Sequence, residues 1–176
     1  MKPVDAKAYL VQTRLGPMAV CCRGEALVGS ILPCDSLDEI TAHVWQQWEM
    51  ELEPEAPALV VGLQDRIERL WGARVSDTFA DVALDLGSST IFQQSVYREL
   101  RRLPPGEVLS YGELAQRLGK PGAARAVGSA LRCNPLPLFV PCHRVLAKQS
   151  LGGFTAPGGL AQKYVLLRAE GTFLSK

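Results

Sequence analysis

The most pointed chemistry in this 176-residue chain lies in one short stretch, Pro137-Leu138-Phe139-Val140-Pro141-Cys142-His143-Arg144-Val145. An apolar run delivers a cysteine between a proline and a histidine, with a basic residue next. Cysteine is nucleophilic as the thiolate, and a free thiol with a pKa of about 8.5 is mostly protonated at neutral pH. His143 and Arg144 both favour the anion, and His143 can also take the proton as general base. Adjacent residues do not face each other on regular backbone. A bridging water between Cys142 and His143 therefore stands beside a direct bond as an equal option. A third group should orient the imidazole, and Glu170 is the candidate carboxylate. The bland alternative is a buried structural thiol, the usual fate of a free cysteine.

The remaining cysteines are Cys21, Cys22, Cys34 and Cys133. Five is an odd number without disulfide-framework spacing, which points to a reducing, cytoplasmic compartment. No metal is expected, because the chain has only two His, and Cys21, Cys22, Cys34 and His43 show no recognised zinc spacing. No cofactor is expected either. Nothing approaches the roughly 18–20 uninterrupted apolar residues of a membrane span, and no secretory signal is visible at the N-terminus.

The elements that must hold the thiol can be read around it. Ser110-Tyr111-Gly112-Glu113 has capping-box spacing and opens a helix through about Leu118. Gly119-Lys120-Pro121-Gly122 is a turn, and a second helix runs from about Ala123 to Cys133, ending at Asn134-Pro135. Two short helices around a Gly-containing turn match the helix-turn-helix plan. In the second helix Ala123, Ala124, Ala126, Gly128, Ser129 and Ala130 are small, and Arg125 and Arg132 are the only long polar residues. A major-groove reader offers several long donors to base edges. So bare a helix suits sequence-tolerant minor-groove contact with Arg125 as wedge or anchor, or else close packing in a core. Upstream, Thr90-Ile91-Phe92-Gln93 caps a helix whose Phe92, Val96 and Leu100 form one buried stripe before Pro104-Pro105-Gly106.

The first half reads as a β-meander over residues 8–13, 18–22 and 26–32. A helix follows from Ser36-Leu37-Asp38-Glu39 to about Met50, then an acidic connector and a second helix over about 59–70. Residues 82–86 are a candidate fourth strand. Composition is that of a globular chain, 47% hydrophobic and 21% charged.

A net charge of +1 argues at first against a nucleic-acid partner. The sum conceals an asymmetry. Residues 1–88 carry seven Lys and Arg against fourteen Asp and Glu, a net of −7, whereas residues 89–176 carry twelve against four, a net of +8. The asymmetry suggests an anionic partner for the basic half, or two small domains that attract one another. Domains of 1–87 and 88–176 follow from this shift.

Several of these motifs occur together in one known family. Ser110-Tyr111-Gly112, Arg125-Ala126-Val127-Gly128, Asn134-Pro135, Pro141-Cys142-His143-Arg144-Val145 and Lys163…Glu170-Gly171 occur in family order. The chain resembles the O6-alkylguanine-DNA alkyltransferases, also called methylated-DNA–protein-cysteine methyltransferases, strongly over residues 88–171 and loosely before. The resemblance implies an α/β N-terminal domain with a small ribonuclease-H-like sheet and helices, and a mainly α C-terminal domain containing a helix-turn-helix. It implies direct-reversal DNA repair, in which Cys142 takes an alkyl group irreversibly from O6-alkylguanine, with O4-alkylthymine a further substrate to consider. A thioether has no good leaving group, so each molecule acts once.

On this resemblance His143 acts through water as base and Glu170 completes the relay. Tyr111 crowds the flipped nucleotide's phosphate and donates a proton toward N3 of the departing guanine. Arg125 fills the gap in the base stack, and Ser110, Ala124, Ala126 and Gly128 lie at the DNA surface. Asn134 holds the turn before the active segment, and Arg144, Phe154 and Thr155 serve the pocket. The implied partner is double-stranded DNA bearing O6-alkylguanine, met by a monomer. Phe154 stands where the family usually has Tyr, which leaves Thr155 and the backbone to supply hydrogen bonds. The loop from Ser150 to Gly159 is also rearranged. The alternative on the same scaffold is a non-catalytic sensor of alkylated bases, but such relatives replace the acceptor cysteine. A thiol hydrolase is a third option.

Overall fold

A computed structural model describes residues 4–73 and 77–172. Three strands, β1 (Lys7–Thr13), β2 (Gly16–Arg23) and β3 (Ala26–Ile31), form an antiparallel sheet in sequence order. The period-two pleat sorts their side chains onto two faces. Ala8, Ala19, Cys21 and Ile31 pack against Ile40, Val44 and Trp48 of α1 (Leu37–Trp48). Tyr9, Val11, Met18, Val20 and Cys22 face the other way, with Val60, Leu63 and Ile67 of α2 (Ala58–Ala73). The neighbouring Cys21 and Cys22 thus belong to different cores. Residues 82–86 do not form a full strand. They add one parallel bridge, Leu27 to Leu84, closed by Leu27 N–H on Ala83 O and Asp85 N–H on Leu27 O.

The core on the α2 face does not stop at the sheet. It continues without a break into Val96, Tyr97 and Leu100 of α3 (Ile91–Leu100), and on through Leu114, Val127, Phe139 and Val145. A second, two-stranded parallel sheet pairs β4 (Leu109–Ser110) with β5 (Val145–Leu146). Between them come α4 (Tyr111–Arg117) and α5 (Ala124–Arg132), and the chain ends in α6 (Gly159–Ala169). Neither the short parallel pair nor α6 was legible in the sequence pattern. Among the described residues no helix is long and apolar enough to cross a membrane.

Local chemistry explains the helix boundaries that matter for the site. Ser110 Oγ accepts from Glu113 N–H at 3.2 Å and Glu113 Oε2 accepts from Ser110 N–H at 2.6 Å, a complete capping box. Gly119 and Gly122, at φ +66° and +90°, reverse the chain between α4 and α5 where an L side chain would be strained. Tyr97, fully buried on α3, donates its hydroxyl to Ala130 O of α5 at 2.8 Å and fixes that helix from behind.

Candidate active site

Cys142 opens a 3-10 turn, Cys142–Arg144, immediately before β5. Because β5 pairs with β4, and β4 runs directly into α4, Tyr111 at the start of α4 is carried to the same place. The loop before Cys142 is folded around one side chain. Asn134 Oδ1 accepts from Leu136 N–H at 3.0 Å, and its Nδ2 donates to Val140 O at 2.9 Å. The result is a cavity of about 560 Å³ lined by Tyr111, Asn134, Cys142, Phe154 and Thr155, among others.

Behind the cysteine lies a buried ionic cluster. His143 is fully buried, and its Nε2 is 2.8 Å from Glu170 Oε1. Arg144 clamps the same carboxylate, with Nε on Oε2 at 2.9 Å and Nη2 on Oε1 at 2.7 Å, and donates Nη1 to Leu103 O. Burial alone would raise the Glu170 carboxyl, but His143 and Arg144 hold it down at about 2. Burial lowers His143 despite Glu170, which leaves the imidazole neutral. A neutral ring that donates Nε2–H to Glu170 keeps its lone pair on Nδ1. That atom is buried and has no protein partner among the described residues.

Burial pushes the Cys142 thiol above its ordinary value, opposed by the Asn134 amide and the Lys163 ammonium. The reading of Arg144 as a promoter of the thiolate needs correction. Its guanidinium is engaged by Glu170 and Leu103 O, and the cation that acts on the thiol is Lys163. Lys163 is fully buried on α6, where it donates to Val145 O and Leu151 O, each at 2.6 Å. Burial lowers its pKa to about 8 while Cys142 opposes the shift. Tyr111 stays protonated at neutral pH, because burial lifts its phenol against the Gly153 backbone amide.

The remaining sequence-predicted residues lie on the outer side. Arg125 and Ala126 are exposed on α5, Ala124 and Gly128 partly so, while Val127, Ala130 and Leu131 face the core. The small residues therefore include an outward set, and close packing accounts for Ala130 alone among those buried. Ser110 is half-buried with its hydroxyl capping α4, and Thr155 is exposed at the cavity mouth. Two residues escaped the sequence reading as contributors to this geometry. Lys163 was noticed only as part of a motif, since α6 was not identified. Ser30 of β3 donates its hydroxyl to Pro137 O at 2.7 Å and its amide to Pro135 O at 3.0 Å, which straps the Cys142 loop to the N-terminal sheet. No local signal marks Ser30, whose partner Pro137 is 107 residues away.

Residues 91–172 match the family described as 6-O-methylguanine DNA methyltransferase, DNA binding domain. Over 178 aligned residues the chain is 41% identical to the methylated-DNA–protein-cysteine methyltransferase of Salmonella typhimurium, covering 93% of this chain and 95% of that one. The chain belongs to the methylated-DNA–protein-cysteine methyltransferase family. The Shigella flexneri protein of the same name is 33% identical over 170 residues, with the same coverage of 93% and 95%. The crystal structure of Mycobacterium tuberculosis OGT in complex with DNA superposes with a TM-score of 0.74 at 32% identity, over 94% of this chain and 93% of that one. The small sheet with its flanking helices and the helical C-terminal part thus follow the fold of this family.

Proposed function

We propose that this protein reverses alkylation damage by transferring the alkyl group from O6 of guanine in duplex DNA to Cys142 Sγ, once per molecule. The observation that carries the reading is a cysteine on a cavity wall, backed by a buried, neutral His143 oriented by Glu170. The thiol rests protonated, so the anion is made on demand. A water accepts the Cys142 proton and passes one to His143 Nδ1, and Glu170 and Arg144 stabilise the imidazolium. Sγ attacks the alkyl carbon, the S–C bond forms as the O6–C bond breaks, and the phenol of Tyr111 donates a proton toward N3 of the guanine. Lys163 supports the thiolate through its charge and holds the pocket loop through Leu151 O.

In the same proposal, residues 1–87 form an α/β, ribonuclease-H-like domain that braces residues 88–176, the DNA-binding and alkyl-accepting domain. Helices α4 and α5 act as a helix-turn-helix that lays the small residues of α5 in the minor groove. Arg125 occupies the stack left by the extruded base. Extrusion costs a few kcal/mol and is cheapest for a damaged, poorly paired base, which favours lesions without a sequence code. The protein works as a monomer, and O4-alkylthymine is a candidate second substrate. The sensor alternative loses its basis because the acceptor position holds Cys142.

Incubation with duplex DNA containing O6-methylguanine, followed by intact-protein and peptide mass spectrometry, tests this. One methyl group on Cys142, absent in Cys142→Ala, is the expected result. Binding to that DNA without any gain in mass would overturn alkyl transfer in favour of sensing.

A further inference from the structure

A second cluster of metal-ligating side chains lies on the N-terminal side of the molecule. Cys34 follows β3, and Glu39 and His43 sit one turn apart on α1. Their Sγ, carboxylate oxygen and imidazole nitrogen all lie within 4.8 Å of one another. We propose that Cys34, Glu39 and His43 bind a divalent cation of the zinc class, which ties the end of β3 to the first turns of α1.

The donors have little else to bind. Cys34 Sγ reaches Leu32 O at 3.5 Å, a weak partner for a thiol. His43 Nε2 is 3.6 Å from Glu39 Oε1, beyond a normal hydrogen bond. Glu39 keeps Oε1 on the His43 side because its Oε2 accepts from Asp35 N–H at 3.1 Å.

The frame is also rigid before any ion arrives. Cys34 N–H donates to Pro17 O at 2.9 Å, and Ser36 Oγ caps α1 by accepting from Glu39 N–H. Gly16, at φ +113°, lets β2 pass so close that a Cβ there would fall 2.1 Å from Cys34 O. Ile40 and Val44, fully buried, fix the rotation of α1 and hence the direction of the Glu39–His43 edge.

Sulfur, imidazole and one carboxylate form a set suited to tetrahedral Zn²⁺, with the fourth position open to solvent beside the partly exposed Glu39 side chain. Binding releases the Cys34 proton to solvent, leaving thiolate, neutral imidazole and carboxylate on the ion. The ion lies between Glu39 and His43, about 6–12 Å along α1 from Gln47, and none of its three ligands lines the Cys142 cavity. It is therefore structural and takes no part in alkyl transfer.

The test is titration of chelator-treated, full-length protein with Zn²⁺ and with Co²⁺, reading stoichiometry, sulfur-to-cobalt absorption and Tm. Wild type and Cys142→Ala should each take up one equivalent, show the sulfur band and gain thermal stability with Zn²⁺. Cys34→Ala and His43→Ala should lose all three responses, and both should still transfer methyl groups at the wild-type rate. A sulfur band that survives Cys34→Ala but disappears in Cys142→Ala would move the ion to the wrong cysteine and overturn the site. So would a wild type that takes up no metal in excess Co²⁺, or uptake indifferent to His43→Ala. Should Cys34→Ala fail to fold, His43→Ala decides, because His43 is half-exposed and contributes little to the core.

Discussion

The N-terminal sheet and the segment from Asn134 to Val145 both enclose cysteines, and the two settings do opposite things to them. Cys21 and Cys22 stand among aliphatic side chains on either face of the sheet, where burial drives their pKa up to about 12 and about 11. Burial raises Cys142 as well, but there an amide, a buried ammonium and a His–Glu–Arg cluster converge on the same few residues. Desolvation alone makes a thiol inert. Under the proposed mechanism, desolvation combined with a neutral base behind the thiol makes one that ionises only when a proton acceptor and an electrophile are both in place.

The sharpest way to break this comparison is chemical. Cys142→Ala should abolish methyl uptake altogether, whereas Cys21→Ala should leave it unchanged and cost stability alone. Under native conditions a small alkylating reagent should modify Cys142 and the exposed Cys133 well before Cys21 or Cys22. Equal labelling of Cys21 and Cys142, read by peptide mass spectrometry, would erase the distinction.

Glu170→Gln should be the next largest effect, a fall of about 10²–10⁴-fold in transfer rate as the base loses its orienting charge. It should also be costly to the fold, on the order of 3–5 kcal/mol, because Arg144 is left buried without its anion. The sign with pH follows from the depressed carboxyl. Its folded pKa lies below its unfolded value, so the contribution is present above pH ~4.5 and is lost as pH falls toward 2. Chemical denaturation between pH 5 and about 2.5 should show a steep loss for wild type and a flatter one for Glu170→Gln.

Arg125→Ala probes the outer surface instead of the thiol. If Arg125 fills the gap in the base stack as proposed, reaction with duplex DNA should slow roughly ten- to hundredfold, because the side chain then offsets part of an extrusion cost of a few kcal/mol. Reaction with free benzylated guanine, which needs no extrusion, should change little. Equal losses on both substrates would sink the wedge role.

The mildest perturbation is Ser30→Ala. Removing one buried hydroxyl leaves Pro137 O without its donor, at about 1–3 kcal/mol of stability. The transfer rate should fall by a few-fold only, because Asn134 still folds the loop. An unchanged denaturation midpoint would mean that the strap between the two halves carries no load.

The legible parts of the molecule are those decided within one or two helical turns. The capping boxes at Thr90 and Ser110 are local bargains between a side chain and the next turn's amides, and both form as their spacing predicts. The Cys142–His143 dipeptide was legible as chemistry, since residue type alone limits what a thiol beside an imidazole can do. Helix α6 was missed because Lys163 interrupts its apolar face, and the reason for that lysine is three carbonyls supplied by other segments. Arg144 was assigned to the wrong anion for a similar reason. Glu170 lies 26 residues further on, and only the packing of α6 against the 3-10 turn brings it there.

Composition and short-range spacing suffice to reveal the acidic and basic halves, the small-residue face of α5 and a cysteine next to a histidine. The tertiary structure alone decided which nitrogen of His143 remains free, which cation acts on the thiol, and that Ser30 reaches across the chain to brace the loop. Each of those depends on groups far apart in sequence meeting at hydrogen-bond distance in a desolvated place, where a shift of one ångström changes the chemistry.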